Sequence, residues 1–122
     1  MTQATLATLV SGAFPSVREA AIAGLVDPAE STAVILEGMP DGMSRLDEIT
    51  ALPTVHIARI APGCMCCSGN LTMRVTLDRI LRRRPTRLFI SLASAGHLDE
   101  IRRFLHAAPY DQLLQLTDDL QL

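Results

Sequence analysis

Lysine and tryptophan are both absent from this 122-residue chain, and cysteine occurs only three times. All eleven basic residues are arginine, so no motif built on a lysine ammonium is open to it. Aromatic residues make up 3% against a hydrophobic fraction of 48%, which leaves Leu, Ile, Val, Ala and Met to fill a core. Aliphatic runs of this kind suit a parallel sheet covered by helices. Neither sign of charge dominates. A formal net charge of −2 and arginines scattered along the chain give no footprint for nucleic acid or a membrane surface. No stretch approaches the roughly 20 apolar residues of a membrane span. The opening MTQATLATLV lacks the positive n-region of a secretory signal and reads as a first strand. Cys64, Cys66 and Cys67 fall within four positions, so they cannot staple distant parts of the chain. A reducing, cytoplasmic setting is expected.

There is no internal repeat and no low-complexity linker, and the length fits one domain, 1–122. Residues 4–10 read as a strand, followed by a turn around Gly12 and Pro15. Ser16 is positioned to cap a helix running to residue 26, which Asp27-Pro28 stops. A short strand over 32–36, a Gly/Pro-rich loop over 37–42 and a turn or two of helix over 44–52 come next. Residues 54–60, rich in β-branched side chains and bounded by Pro53 and Pro62, read as a third strand. A loop with Gly63 and the cysteines leads to a helix over 71–84, with apolar residues at 71, 73, 77, 80 and 81. A strand over 87–93, a helix over 98–107 and a fifth strand beginning at 113–116 complete the alternation. This order predicts an α/β fold: three layers, with a mainly parallel sheet of about five strands flanked by helices. Ligands of such sheets bind beyond the carboxyl ends of the strands. Gly12, Glu37, the cysteine loop and His97 all follow strand ends, so they are expected on one edge.

Three sulfurs on a loop that opens a helix form a soft-metal site in the making. The thiolate is the ligand form, and a helix N-terminus favours it. Thiolates select Zn²⁺, Cu(I) and similar ions over Mg²⁺ and Ca²⁺. Three of them leave a fourth tetrahedral position for another residue or an exchangeable ligand. His97 is a candidate for that position or for orienting a ligand, and is equally readable as a helix-start residue facing water. Glu37 is a weaker ligand candidate, more simply a solvated loop carboxylate. Two other readings stay open. The cysteines can be small buried hydrophobes or a redox pair, although adjacent Cys66 and Cys67 would bridge only with strain. His56 reads as a strand histidine and His106 as a cation at a helix end. Arg82, Arg83 and Arg84 suit the negative end of the long helix, and Asp78 and Arg82 stand at ion-pair spacing. No catalytic constellation is evident.

The run Gly-Cys-Met-Cys-Cys-Ser-Gly-Asn-Leu-Thr-Met-Arg-Val-Thr-Leu-Asp-Arg-Ile-Leu, residues 63–81, resembles the Gly-Cys-x-Cys-Cys motif and following helix of the CobW-like P-loop GTPases. These are regarded as metallochaperones for zinc, cobalt and similar ions. The resemblance extends over most of the chain. Residues 87–90 match the strand before that family's second switch. Gly96-His97 stands where one branch has Gly-His-Pro, and 110–116 resembles the approach to its fifth strand. Glu37-Gly38 falls where the family often has an acidic residue. The resemblance implies a P-loop-NTPase-like, Rossmann-like fold and a zinc- or cobalt-type metal as partner.

It also implies a phosphate loop, which this sequence departs from. Gly12-Ala13-Phe14-Pro15-Ser16-Val17-Arg18-Glu19 occupies the register of G-x-x-x-x-G-K-[ST]. Gly12 and Arg18 are what remains to hold a nucleotide. Val17 replaces the second glycine, Pro15 removes a donor N–H, and Glu19 replaces the hydroxyl that would bind Mg²⁺. A carboxylate about 4 Å from a phosphate costs on the order of 4 kcal/mol at an effective dielectric near 20. The family's guanine-reading Asn/Thr-Lys-x-Asp element cannot exist without lysine, and Ser91 stands in place of its acidic switch residue. The expectation is a degenerate, abbreviated relative without the family's second domain, binding a soft metal and not hydrolysing GTP. Two further readings follow. One is a non-enzymatic interaction module, pairing with a protein partner or a second copy through a sheet edge left by an unfinished fifth strand. The other is weak residual nucleotide binding through Arg18.

Overall fold

The computed structural model describes residues 4–12, 14–38, 53–60, 71–93, 96 and 98–122. In chain order the elements are β1 (Thr5–Ser11), α1 (Pro15–Leu25), β2 (Thr32–Glu37), β3 (Val55–Ile60), α2 (Leu71–Leu81), β4 (Arg87–Ser91), α3 (Leu98–His106), α4 (Tyr110–Leu113), β5 (Leu114–Leu116) and β6 (Leu120–Gln121). The strands form one sheet in the order β3-β2-β4-β1-β5, with β6 also on β1, and every pairing among them is parallel. The α/β, Rossmann-like arrangement expected from the sequence is present.

The apolar runs of β1, β2 and β4 are buried because both sheet faces are covered. On one face Ala7, Leu9, Ala33, Ile35, Leu88 and Ile90 meet Met73, Leu77 and Ile80 of α2 and Ile101 and Leu105 of α3. On the other, Val10, Val34, Leu36 and Phe89 meet Ile22 of α1. Three layers result, with α1 alone on its side among the described residues.

Several boundaries differ from the sequence expectation, each for a local reason. Ser16 does not cap α1. Phe14 is the N-cap, with no side-chain bond, because Pro15 already fits the first helical turn. Helix α2 stops at Leu81 instead of residue 84. The amides of Arg83 and Arg84 donate to the carbonyls of Ile80 and Leu81, each at 3.0 Å, and Arg84 takes a left-handed φ of 51°. Asp78 forms no ion pair with Arg82. Its carboxylate accepts the Tyr110 hydroxyl at 3.0 Å instead. The fourth strand ends at Ser91, and the fifth is preceded by the short α4. The fifth strand is short: β5 pairs with Thr5–Ala7 of β1 and β6 with Val10–Ser11, so the chain covers that side of β1 in two pieces. Arg102 of α3, paired with Asp119, fixes the connection between them. The expected helix turn over 44–52 lies outside the described residues.

Candidate functional site

The chain leaves β1 for α1 on one face and leaves β4 for α3 on the other. Because β1 and β4 are neighbours, their departing connections part at the carboxyl edge, the place where open parallel sheets hold ligands. Gly12, Ser91 and Arg18 meet there.

Arg18 is 2% exposed. Its Nε donates to the Ser91 hydroxyl at 2.8 Å and its Nη1 to the Gly12 carbonyl at 3.2 Å. Glu19 and Glu37 are buried as deeply, at 1% and 2%. Arg59 Nη2 donates to Glu19 Oε1 at 2.9 Å, and the Ala93 amide donates to Glu37 Oε1 at 2.8 Å. Burial pushes the Arg18 guanidinium below its ordinary range, and the Glu19 and Glu37 carboxylates pull it back up. Two cations and two carboxylates thus balance at the ends of β1, β2, β3 and β4. Arg18, Ser91, Glu37 and Arg59 tie the roots of the loops after β1, β4, β2 and β3.

The phosphate-loop register is folded against its own backbone. The amides of Val17 and Arg18 both donate to the Phe14 carbonyl, at 3.0 and 3.1 Å, so neither points at an external anion. Gly12 holds a φ of 88°, and a Cβ there would collide with the Leu122 carbonyl oxygen. The Leu122 amide donates to the Ser11 carbonyl at 2.9 Å, which seats that backbone over the end of β1.

Of the sequence candidates, the structure brings Gly12 and Arg18 into one contact and places Glu37 beside them. Glu37 is not the solvated loop carboxylate expected. It is the last residue of β2, buried and bonded to the Ala93 amide. Cys64, Cys66, Cys67 and His97 lie outside the described residues; the last described residue before the cysteines, Ile60, ends β3 at this same edge. Among the described residues there is no group of three or more His, Cys, Asp or Glu placed to hold a metal ion. No helix among them is long and apolar enough to cross a membrane. Sequence reasoning missed the roles of Arg59 and Ser91 as partners of the Arg18/Glu19 pair. A signal was present: Arg18 and Glu19 are the only charged residues between Ser11 and Val26, and adjacent opposite charges on an otherwise apolar helix are buried only when paired.

Over 117 residues, 92% of its length, the chain is 32% identical to the zinc chaperone YeiR of Escherichia coli (strain K12). The match covers 35% of that protein, so the chain spans about a third of the length of this curated relative. No family model matches the chain, and no solved structure matches it.

Proposed function

We propose that this chain is a soft-metal-handling domain of CobW-like ancestry that carries Zn²⁺ or a similar ion as cargo on the thiolates of Cys64, Cys66 and Cys67. Residues 1–122 correspond, on this reading, to the nucleotide-binding half of such proteins. The observation that carries it is the similarity to a zinc chaperone over nearly the whole chain, with the thiol triplet in the segment between β3 and α2. Three thiolates supply a soft, anionic donor set, and the fourth position falls to His97 or to an exchangeable ligand, as transfer to a client requires. Glu37 is the weaker candidate, since its carboxylate already accepts the Ala93 amide. The domain does this without GTP hydrolysis. Support comes from Arg18, whose guanidinium is turned onto Gly12 and Ser91, and from Glu19, a carboxylate where a Mg²⁺-binding hydroxyl would be needed.

The test is a Co²⁺ titration of the reduced protein. One-to-one binding with intense thiolate charge-transfer absorption is expected, lost when all three cysteines are replaced by serine. A triple-serine variant that binds as tightly as the parent overturns the assignment. Calorimetry with Mg²⁺-GTP and Mg²⁺-ATP is expected to register no binding. Micromolar affinity for either overturns the non-nucleotide half of the reading.

A further inference from the structure

Six of the eleven arginines lie between residues 74 and 87, with Asp78 the one acidic residue among them. The Asp78 carboxylate already accepts the Tyr110 hydroxyl. Arg79, Arg82, Arg83 and Arg84, at the end of α2 and just past it, are exposed. Among the described residues none of these four forms an ion pair.

Beside this run, at the amino edge of the sheet, a cavity of about 80 Å³ opens between the start of β3 and the end of α2. Buried Ala33 and Ile80 line its apolar side, and His56, Arg83, Ser31 and Thr54 its polar side. His56 pairs in register with Ala33, which belongs to the apolar cluster under α2. Strand alternation therefore sets the imidazole on the α2 face. The Ser31 carbonyl accepts the amides of Thr86 and Arg87 at 2.8 and 3.1 Å, which holds Ser31 beside Pro85. The Thr54 hydroxyl donates to the Pro28 carbonyl at 2.9 Å, so its proton is committed. His56, Arg83 and Ser31 are left to donate inwards. Among the described residues no carboxylate lines the cavity. A helix end ordinarily repels an anion. Here the amides of Arg82, Arg83 and Arg84 occupy the carbonyls of Asp78, Ile80 and Leu81, and the arginines themselves reverse the local charge.

We propose that this cavity holds a phosphate group, either inorganic phosphate or the head of a small phosphate monoester. A single water needs about 15 Å³ of such space. The cavity thus has room for about as many heavy atoms as a phosphate group contains. Arg83, His56 and Ser31 supply charge-assisted and neutral donors to its oxygens. Arg82 and Arg84 add positive field, which favours a dianion over a singly charged carboxylate. The site lies at the opposite edge of the sheet from Gly12 and Arg18, and the inference is independent of the metal reading.

An amide NMR titration of the reduced full chain tests it, at constant ionic strength and with EDTA present. Inorganic phosphate or glycerol phosphate is expected to give saturable shifts at Ser31, Thr54, His56 and Arg83 in the millimolar range. The one that saturates at lower concentration identifies the source. Acetate at equal ionic strength is expected to leave these amides in place. Arg83→Gln is expected to weaken binding at least about tenfold, the loss of one hydrogen bond to a charged group. Arg103→Gln, an exposed change on α3, is expected to leave it within about twofold, since a distant surface charge is screened. Shifts that never saturate, or that acetate reproduces, overturn the proposal. So does an Arg83→Gln variant with a parent-like spectrum that binds either phosphate as tightly as the parent.

Discussion

At the scale of single residues the decisive pair is Arg18 and Glu19. Each is buried, and each reaches a different strand, Arg18 to Ser91 of β4 and Glu19 to Arg59 of β3. Removing one partner of a buried ionic cluster leaves the others uncompensated, which costs about 3–5 kcal/mol. Arg18→Met is therefore expected to lower unfolding free energy by about that amount in urea denaturation. Arg18→Lys keeps the charge but not the fork that serves both Gly12 and Ser91, and is expected to lose less. The residue identities at this site were legible in the sequence as an adjacent pair of opposite charges on an otherwise apolar helix. What they do was not, because the partner of a buried charge is chosen by the packing of strands distant in sequence. Glu37 shows the same limit: a carboxylate before a glycine reads as exposed loop until the strand beside it supplies an amide.

At the scale of elements, Tyr110 joins α4 to α2 through its hydroxyl on Asp78, with Phe104 of α3 tilted against its ring at 5.1 Å. Burial, and then the hydrogen bond to the Asp78 carboxylate, raise the Tyr110 hydroxyl from its usual 10 to about 12. The neutral form is the one the fold favours. Its contribution is complete below pH about 10, the unfolded value, and drains away as pH rises through 12. Two units correspond to on the order of 2–3 kcal/mol. Unfolding midpoints are expected to fall between pH 10 and 12 in the parent more steeply than in Tyr110→Phe, a comparison that thermal melts across that range will make. The spacing of apolar residues located every long element, since periodicity needs only the local chain. It overran α2 and the fourth strand and missed β6, because two-residue strands and helix ends are set by which backbone groups find partners.

At the scale of the whole molecule, two apolar clusters close the core from both faces of the sheet using α1, α2, α3 and α4. Both are built mainly from residues of the described strands and helices. Small metal-dependent folds lose their structure to chelators because the metal is their core. Here the opposite is expected: excess EDTA under reducing conditions leaves the circular dichroism spectrum and the melting temperature unchanged within about 2 °C, equivalent to well under 1 kcal/mol. A collapse on chelation would show that the thiol segment is part of the folding unit.

The sequence by itself determined the α/β alternation, an aliphatic core, the Gly-Cys-x-Cys-Cys run and the absence of any lysine, since each is a property of composition or of neighbouring positions. Only the tertiary structure decided that β4 lies between β2 and β1, and so where the connections to the two faces part. It alone decided that Arg18 turns inward onto Gly12 and Ser91, that β5 and β6 share β1, and that a cavity opens between β3 and the end of α2. The physical reason is common to all four. They depend on contacts between residues far apart along the chain, and burial, charge pairing and strand order exist only once the chain has brought those residues together.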